Sequence, residues 1–395
     1  MFVKSGSHNN VKNSMLYVVL MALALIVTGC AAPPKKPMEP VFYPSPPDLA
    51  RVQYLTSYTG SQDIEEGKSA FELFVTGGQE MFKRLDKPYG LAIHNGKIYV
   101  CDTNDTLMVF DLEKGAFGKL LGAQGLGKLI QPVNITIDRD GIKYVTDPIR
   151  GQIVIFDKND FYVGTFGIAG EWKPVDVAVY EDRLYVADPK NKEVRVLDKK
   201  TGDLVKRIGQ KKEEPEGILA IPTNVAFDKE GYLYVSDSAR FQIVKFDRDG
   251  HFKGIVGKLG ANPSTFARPR GIAIDREDRL YVVDAAFDNV QVFNKEGRLL
   301  MFFGKAGRKP GDLYLPAKVI VDYENIKYFE KYVDPRFEVE ALILVTSQFG
   351  DRMVNVYAFG KEKGKQYPTD EALKEEVLQK MKKFQQEAPP EKAEE

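Results

Sequence analysis

Five short stretches of this chain are almost the same word: IYVCD from Ile98, KYVTD from Lys143, LYVAD from Leu184, LYVSD from Leu233 and LYVVD from Leu280. Their tyrosines, Tyr99, Tyr144, Tyr185, Tyr234 and Tyr281, are separated by 45, 41, 49 and 47 residues. A period in the forties written in strand-forming residues points to propeller blades rather than helical solenoids. Each unit opens on a proline (Pro88, Pro132, Pro174, Pro222, Pro269 and a sixth at Pro316) and continues into an apolar strand such as GLAI, NITI or DVAV. A polar turn (DRDG, DKEG, DRED) leads to the Tyr-Val-x-Asp strand. A third strand follows, such as IVIFD or VQVFN, and a fourth ends in Gly, as in GTFG and MFFG. Four short antiparallel strands per unit make one blade.

The letters have physical reasons. Blades pack face to face, so both sides of their strands are buried, and Val, Ile and Tyr suit such surfaces. Asp102, Asp147, Asp188, Asp237 and Asp284 each end a second strand where the chain reverses. A carboxylate there can accept backbone N–H groups of the turn. Recurrence in every unit favours a turn brace over a ring of catalytic or metal-binding acids.

The order of proline, apolar strand, polar turn, Tyr-Val-x-Asp and Val-x-Phe-Asp strand resembles the NHL repeat family, as found in six-bladed propellers of bacterial lipoproteins. The resemblance spans roughly Arg51 to Gly360. It is specific for fold and weak for activity. Trp172 is the only Trp and no blade ends in Trp-Asp, which separates the chain from WD40 propellers. The fold expected is all-β: a six-bladed β-propeller of four-stranded antiparallel blades. The sixth unit is irregular. AKVIVD is followed by an insert around YENIKYFEKYVDPRFEVE, then ALILVTS and MVNVYAFG, which supply three strands. RVQYLTSYTG (51–60) is an orphan strand upstream, and it is expected to complete the last blade, removing two exposed edges. SQDIEEGKSAFELFVTGG, which follows it, reads as an extended loop or short helix.

The flanks differ in kind. Residues 1–29 hold Lys4 and Lys12 and then MLYVVLMALALIV, too short to span a membrane comfortably, ending at VTGC. Charged start, apolar run, small residues and Cys30, in that order, look like a bacterial lipoprotein signal. That resemblance implies lipidation of Cys30 and removal of what precedes it. By the same resemblance, Ala31 after Cys30 favours the outer membrane. Residues 30–50 contain seven prolines within AAPPKKPMEPVFYPSPPD and read as a stiff tether of about 50 Å. Residues 361–395 form a charged tail. Thr369 is a plausible N-cap for an amphipathic helix over 369–386, with Leu373, Val377, Met381 and Phe384 on one stripe and Leu378 beside it. That helix either packs on the propeller or docks a partner.

Charge is balanced, 56 basic residues against 56 acidic, so the chain as a whole has no electrostatic pull toward nucleic acid. The chain has two Cys, Cys30 and Cys101. With Cys30 lipidated no internal disulfide forms, and Cys101 reads as a small buried thiol. There is no haem-attachment, phosphate-loop, dinucleotide, GxSxG or paired-Cys zinc motif. His94 and His251 fall in hairpin turns of different blades, and His8 lies in the leader, so Ser/His/Asp chemistry has almost no candidates.

The mouth of the ring remains. The residue two after each opening proline starts an inner strand beside the axis: Gly90, Asn134, Asp176, Asn224, Gly271 and Lys318. Oxygen donors at Asn134, Asp176 and Asn224, in successive blades, could hold Ca²⁺. This resembles, in architecture only, the six-bladed lactonase and arylesterase propellers with calcium in the channel. The same groups could instead cap backbone and bind water, and Lys318 could neutralise Asp176. Loops of that face carry Tyr89, Arg150, Lys190, Arg240, Phe241, Arg270 and Phe287, a mixed basic and aromatic rim suited to a protein or peptide. The expectation is a non-enzymatic lipoprotein of the cell envelope, anchored by lipid, with no cofactor and an envelope protein as partner. The competing expectation is a calcium-dependent hydrolase or lyase acting at the channel mouth. No row of aromatic residues speaks for a sugar-binding module.

Overall fold

In the second strand of every blade, side chains alternate between two neighbours, and this alternation builds the molecule. The computed structural model describes residues 39–65 and 83–367. The chain makes six antiparallel sheets arranged as a six-bladed β-propeller. Two short strands come first: β1 (Val41–Tyr43) and β2 (Val52–Tyr58). Blade one is β3 (Pro88–His94), β4 (Lys97–Asp102), β5 (Leu107–Asp111) and β6 (Ala116–Lys119). Blade two is β7 (Asn134–Ile137), β8 (Lys143–Asp147), β9 (Gln152–Phe156) and β10 (Tyr162–Phe166). Blade three is β11 (Asp176–Tyr180), β12 (Arg183–Asp188), β13 (Glu193–Asp198) and β14 (Leu204–Ile208). Blade four is β15 (Pro222–Phe227), β16 (Leu233–Asp237), β17 (Gln242–Phe246) and β18 (Phe252–Val256). Blade five is β19 (Pro269–Ile274), β20 (Leu280–Asp284), β21 (Asn289–Phe293) and β22 (Leu299–Phe303). Blade six combines β23 (Pro316–Asp322), β24 (Phe337–Ser347) and β25 (Val354–Glu362) with β2 and β1.

The core is divided into six apolar clusters, one between each pair of adjacent blades. Tyr99 joins the cluster shared with blade two, and Val100 the one shared with blade six. Tyr144, Tyr185, Tyr234 and Tyr281 likewise face the following blade, while Val145, Val186, Val235 and Val282 face the preceding one. Strand periodicity of two therefore assigns one residue to each interface. Three of these hydroxyls donate to acids in the turns of the opposite face: Tyr99 to Asp160 at 3.0 Å, Tyr281 to Asp275 at 2.9 Å and Tyr144 to Asp138 at 3.5 Å. A buried Tyr needs such a partner for its O–H.

The repeated aspartates are braces. Asp147 is fully buried and accepts the N–H groups of Ile130 (2.6 Å), Gln131 (3.1 Å), Ile149 (3.2 Å) and Arg150 (3.0 Å). Asp102, Asp188, Asp237 and Asp284 hold the loop leading into their own blade in the same way. Ser347 stands at this position in blade six and accepts the Tyr314 N–H.

Ring closure follows the expected route. β2 pairs antiparallel with β25, Val52 opposite Phe359 and Tyr58 opposite Val354. The tether boundary needs correction. Within 30–50, Val41–Tyr43 is β1, a fifth strand on the edge of blade six, with Val41 opposite Tyr54. Val-Phe-Tyr between Pro40 and Pro44 has the β-branched and aromatic character of a strand, and proline is tolerated on an edge. Tyr43 also donates to the Gly311 carbonyl at 2.9 Å. After β2, Ser61–Asp63 is a single 3₁₀ turn. The leader, Cys30, residues 66–82 and the helix expected at 369–386 lie outside the described residues. No helix among the described residues is long and apolar enough to cross a membrane.

Candidate functional site

The inner strands β3, β7, β11, β15, β19 and β23 surround the axis, and their first residues meet at one end of it. Two of the six positions are glycine for a steric reason. A Cβ on Gly90 would stand 2.4 Å from Asn134 Oδ1, and one on Gly271 would stand 2.5 Å from Lys318 Cα. Only glycine lets neighbouring inner strands approach this closely.

The other four positions form a polar knot. Asp176, fully buried, accepts on Oδ2 from Asn224 Nδ2 and the Val225 N–H, both at 3.0 Å, and from Lys318 Nζ at 2.8 Å. Lys318 comes from blade six and Asp176 from blade three. These blades face each other across a six-fold ring, so the ion pair crosses the axis. Asn134 Nδ2 donates to the Val175 carbonyl at 2.8 Å, tying blade two to blade three. Thr146 Oγ1 accepts the Asn134 N–H, and Thr346 Oγ1 accepts the Lys318 N–H at 3.1 Å while donating to the Tyr89 carbonyl. Both threonines sit at the variable place in Tyr-Val-x-Asp or its blade-six counterpart. Their register opposite the inner-strand start is the sequence signal that marks them.

Three oxygens of this knot have no hydrogen-bond partner: Asn134 Oδ1, Asp176 Oδ1 and Asn224 Oδ1. One carboxylate and two amide oxygens are the chemistry of a hard cation site. Calcium nevertheless does not fit the arrangement. An ion bound to Asp176 would sit about 5 Å from Lys318 Nζ, where charges of +2 and +1 repel by about 7 kcal/mol at an effective dielectric constant near 20. Among the described residues there is also no group of three or more His, Cys, Asp or Glu side chains placed to hold a metal.

Above the knot, the Arg270 guanidinium lies 5.6 Å from the centre of the Tyr89 ring and donates to Gln348 at 3.0 Å. Burial raises the Tyr89 pKa, and the nearby Arg270 opposes that rise. Burial likewise lowers the Arg270 pKa. Sequence reasoning named Tyr89 and Arg270 as separate rim residues and missed Gln348, which follows Ser347 in a blade lacking the Asp signal.

The remaining rim residues are dispersed around the ring. Arg150 donates to the carbonyls of Lys128 (2.6 Å) and Leu126 (3.3 Å), and Lys190 to that of Gly170, so both brace loops. Arg240 is exposed, and Phe241 and Phe287 are half-buried. Phe241 holds φ +56°, in the place where Gly151 of blade two holds +62°. A bulky residue in the left-handed region is a costly conformation. Neither histidine is near: His251 pairs with Glu214 at 2.7 Å, and His94 ends β3 on the far face.

Beyond the knot the channel widens into a cavity of about 290 Å³, open on the far side. Ile93, Ile137, Ala178, Ile274 and Ile320 line it, and Lys318 stands at its inner end. Cys101, on β4, is fully buried, and burial pushes its thiol pKa well up, with Asp147 and Asp176 adding to the rise. Such a thiol is inert.

No protein-family profile matches the chain, nor does any curated protein sequence. The likeness is to solved structures. A protein of unknown function from Bacteroides thetaiotaomicron superposes with a TM-score of 0.55 at 15% identity, over 79% of this chain and 76% of its own. A putative gluconolactonase gives 0.50 at 12%, over 70% and 90%. A gluconolactonase from Xanthomonas campestris gives 0.48 at 16%, over 70% and 86%. At these identities the likeness is one of fold alone.

Proposed function

We propose that this chain is a lipoprotein of the bacterial envelope, lipidated at Cys30 and anchored in the outer membrane, whose NHL-type propeller is a scaffold for a protein partner. One observation carries the reading. At the channel mouth the one carboxylate, Asp176, is neutralised by Lys318, while apolar side chains on the surrounding loops face water. Ile130 is 56% exposed, Ile149 58%, Ile168 63% and Ile221 45%, with Arg150, Lys190 and Arg240 in the same set of loops. Exposed aliphatic residues interspersed with basic ones suit a protein interface. With β1 starting at Val41, the linker from Cys30 is about ten residues, at most roughly 35 Å when fully extended. That keeps the propeller close to its membrane.

The test is crosslinking in intact cells with a tagged chain, followed by mild-detergent purification and mass spectrometry. A single stoichiometric partner joined through the Ile149–Arg150 or Arg240–Phe241 loops is expected, together with loss of membrane association in C30A. A chain that purifies alone, or crosslinks only through its far face, would overturn the scaffold reading.

The second reading, a calcium-dependent hydrolase or lyase, draws support from the unpartnered oxygens of Asn134, Asp176 and Asn224 and from the gluconolactonase names among the fold neighbours. It requires Lys318 to withdraw from Asp176. It predicts that EDTA lowers, and added Ca²⁺ raises, the melting temperature of the unaltered chain.

A further inference from the structure

We infer that a basic and aromatic patch at the rim of blades five and six, built around Tyr314 and Phe349, lies against the anionic headgroups of a membrane surface. The inference rests on the proposed attachment of the N-terminus to a membrane and is independent of the protein partner.

Two loops of the mouth face make the patch. The loop between β22 and β23 carries Lys305, Arg308 and Lys309, all exposed, and the loop between β24 and β25 carries Arg352, half-buried. Arg352 donates to the Arg308 carbonyl at 2.6 Å, which joins the two loops. Among the described residues none of these four cations forms an ion pair. Against them stand Asp312, buried and accepting the Lys309 N–H at 2.9 Å, and Asp351, the one exposed acid of the patch. In a chain of zero net charge, such a local excess of positive charge attracts an anionic partner. Between the cations two aromatic rings reach solvent: Tyr314 and Phe349 are exposed, with ring centroids 5.9 Å apart. Exposed rings among unpaired cations suit the layer where headgroups meet acyl chains. The loop before blade five repeats the design. Leu259 bridges Phe266 there as Ala306 bridges Leu313, Lys258 stands in the place of Lys305, and Leu259 is exposed.

The place where the N-terminal linker joins the propeller favours a membrane over an acidic protein. Tyr58, at the end of β2, lies opposite Val354, beside the mouth loop that holds Phe349 and Arg352, so β2 runs toward the mouth face. β1 is antiparallel to β2, with Val41 opposite Tyr54 and Tyr43 opposite Val52, so the chain enters β1 from the mouth face. The Tyr43 hydroxyl donates to the Gly311 carbonyl at 2.9 Å, and a Cβ on Gly311 would stand 3.3 Å from Val41 Cγ1. The linker therefore meets the propeller two residues from Lys309. A linker of about ten residues, at most roughly 35 Å, makes this rim the part of the mouth face held nearest the membrane. The loops of Arg150 and Arg240, on blades two and four, stay free for a protein.

The experiment reads tryptophan fluorescence of the full chain carrying F349W, with vesicles of phosphatidylcholine alone or mixed with phosphatidylglycerol. The leader can hold the chain to either vesicle, so the reporter reads contact of the patch and not attachment of the chain. Trp172 is buried and adds a constant background. F349W emission should shift to the blue with phosphatidylglycerol, stay unshifted with phosphatidylcholine alone, and return in about 0.5 M salt, which screens surface charge. F161W, an exposed reporter on the far face of blade two, should shift with neither vesicle. Adding K305Q/R308Q/K309Q to F349W should abolish the shift, since each cation near an anionic surface is worth about fivefold in binding and three amount to roughly a hundredfold. If F349W does not fold, Y314W reads the same contact. Emission that ignores phosphatidylglycerol, a shift that survives K305Q/R308Q/K309Q, or equal shifts in F349W and F161W would overturn the inference. A shift with soluble polyglutamate and none with vesicles would assign the patch to an acidic protein and overturn it too. Membrane association that persists in C30A cells counts against the lipid anchor alone, so the two failures are told apart.

Discussion

If Asp147 is a brace, its conservative replacement by Asn must cost stability far more than its small change in shape suggests. Asp147 holds four backbone N–H groups, Ile130 and Gln131 on one oxygen and Ile149 and Arg150 on the other. Asparagine keeps one oxygen and turns an NH₂ toward the second pair of donors. Two bonds to a charged acceptor are lost, at about 1.5–3 kcal/mol each, and donor then faces donor. Part of this returns as the loops reach water, since Ile130 and Ile149 are exposed, so a net cost of about 3–4 kcal/mol follows for D147N. For a domain this large, about 2 °C of melting temperature goes with each kcal/mol, giving a fall of roughly 6–8 °C by circular dichroism. Asp105, on the same face and paired only with Lys119 at the surface, is the control, and D105N should move the midpoint by less than about 1 °C. A D147N chain that melts like its parent would refute the brace. If it also lost binding of its partner, the ring of acids would be functional after all.

Deleting residues 41–60 removes two strands from blade six and leaves β25 as an open edge. Urea unfolding should then show loss of cooperative folding, while deletion of residues 31–38 should leave the midpoint unchanged. F241G relieves a left-handed Phe and should raise stability by about 1 kcal/mol in the same assay, at the expense of crosslinking through that loop. Burial, aided by Asp160, Asp138 and Asp275, raises the pKa values of Tyr99, Tyr144 and Tyr281 above the ordinary value near 10. A raised native pKa gives stability that is present below pH 10 and lost above it, because the unfolded chain ionises first. Urea midpoints should therefore hold steady to about pH 10 and then fall steeply, less so in Y99F, with part of the ultraviolet tyrosinate signal appearing only as the chain unfolds.

Much of this molecule is written locally. Repeat period, blade number, the four-strand order, the Asp braces and the role of residues 51–60 all follow from alternation of two, turn chemistry and an unpaired strand. Each of these acts over a few residues, or over one edge that must be covered. The β1 strand was hidden because its three residues are framed by prolines, which speak for a tether until an edge is available to pair with. The axis is different. Lys318 and Asp176 lie 142 residues apart, and no local rule puts a lysine opposite an aspartate. Only closure of six blades brings them within 2.8 Å. Local patterning specifies the ring, the residues that start its inner strands and the prospect of Lys318 neutralising Asp176. Whether Lys318 takes up Asp176, and at what distance, is settled by the closed ring, because its centre does not exist until six blades meet.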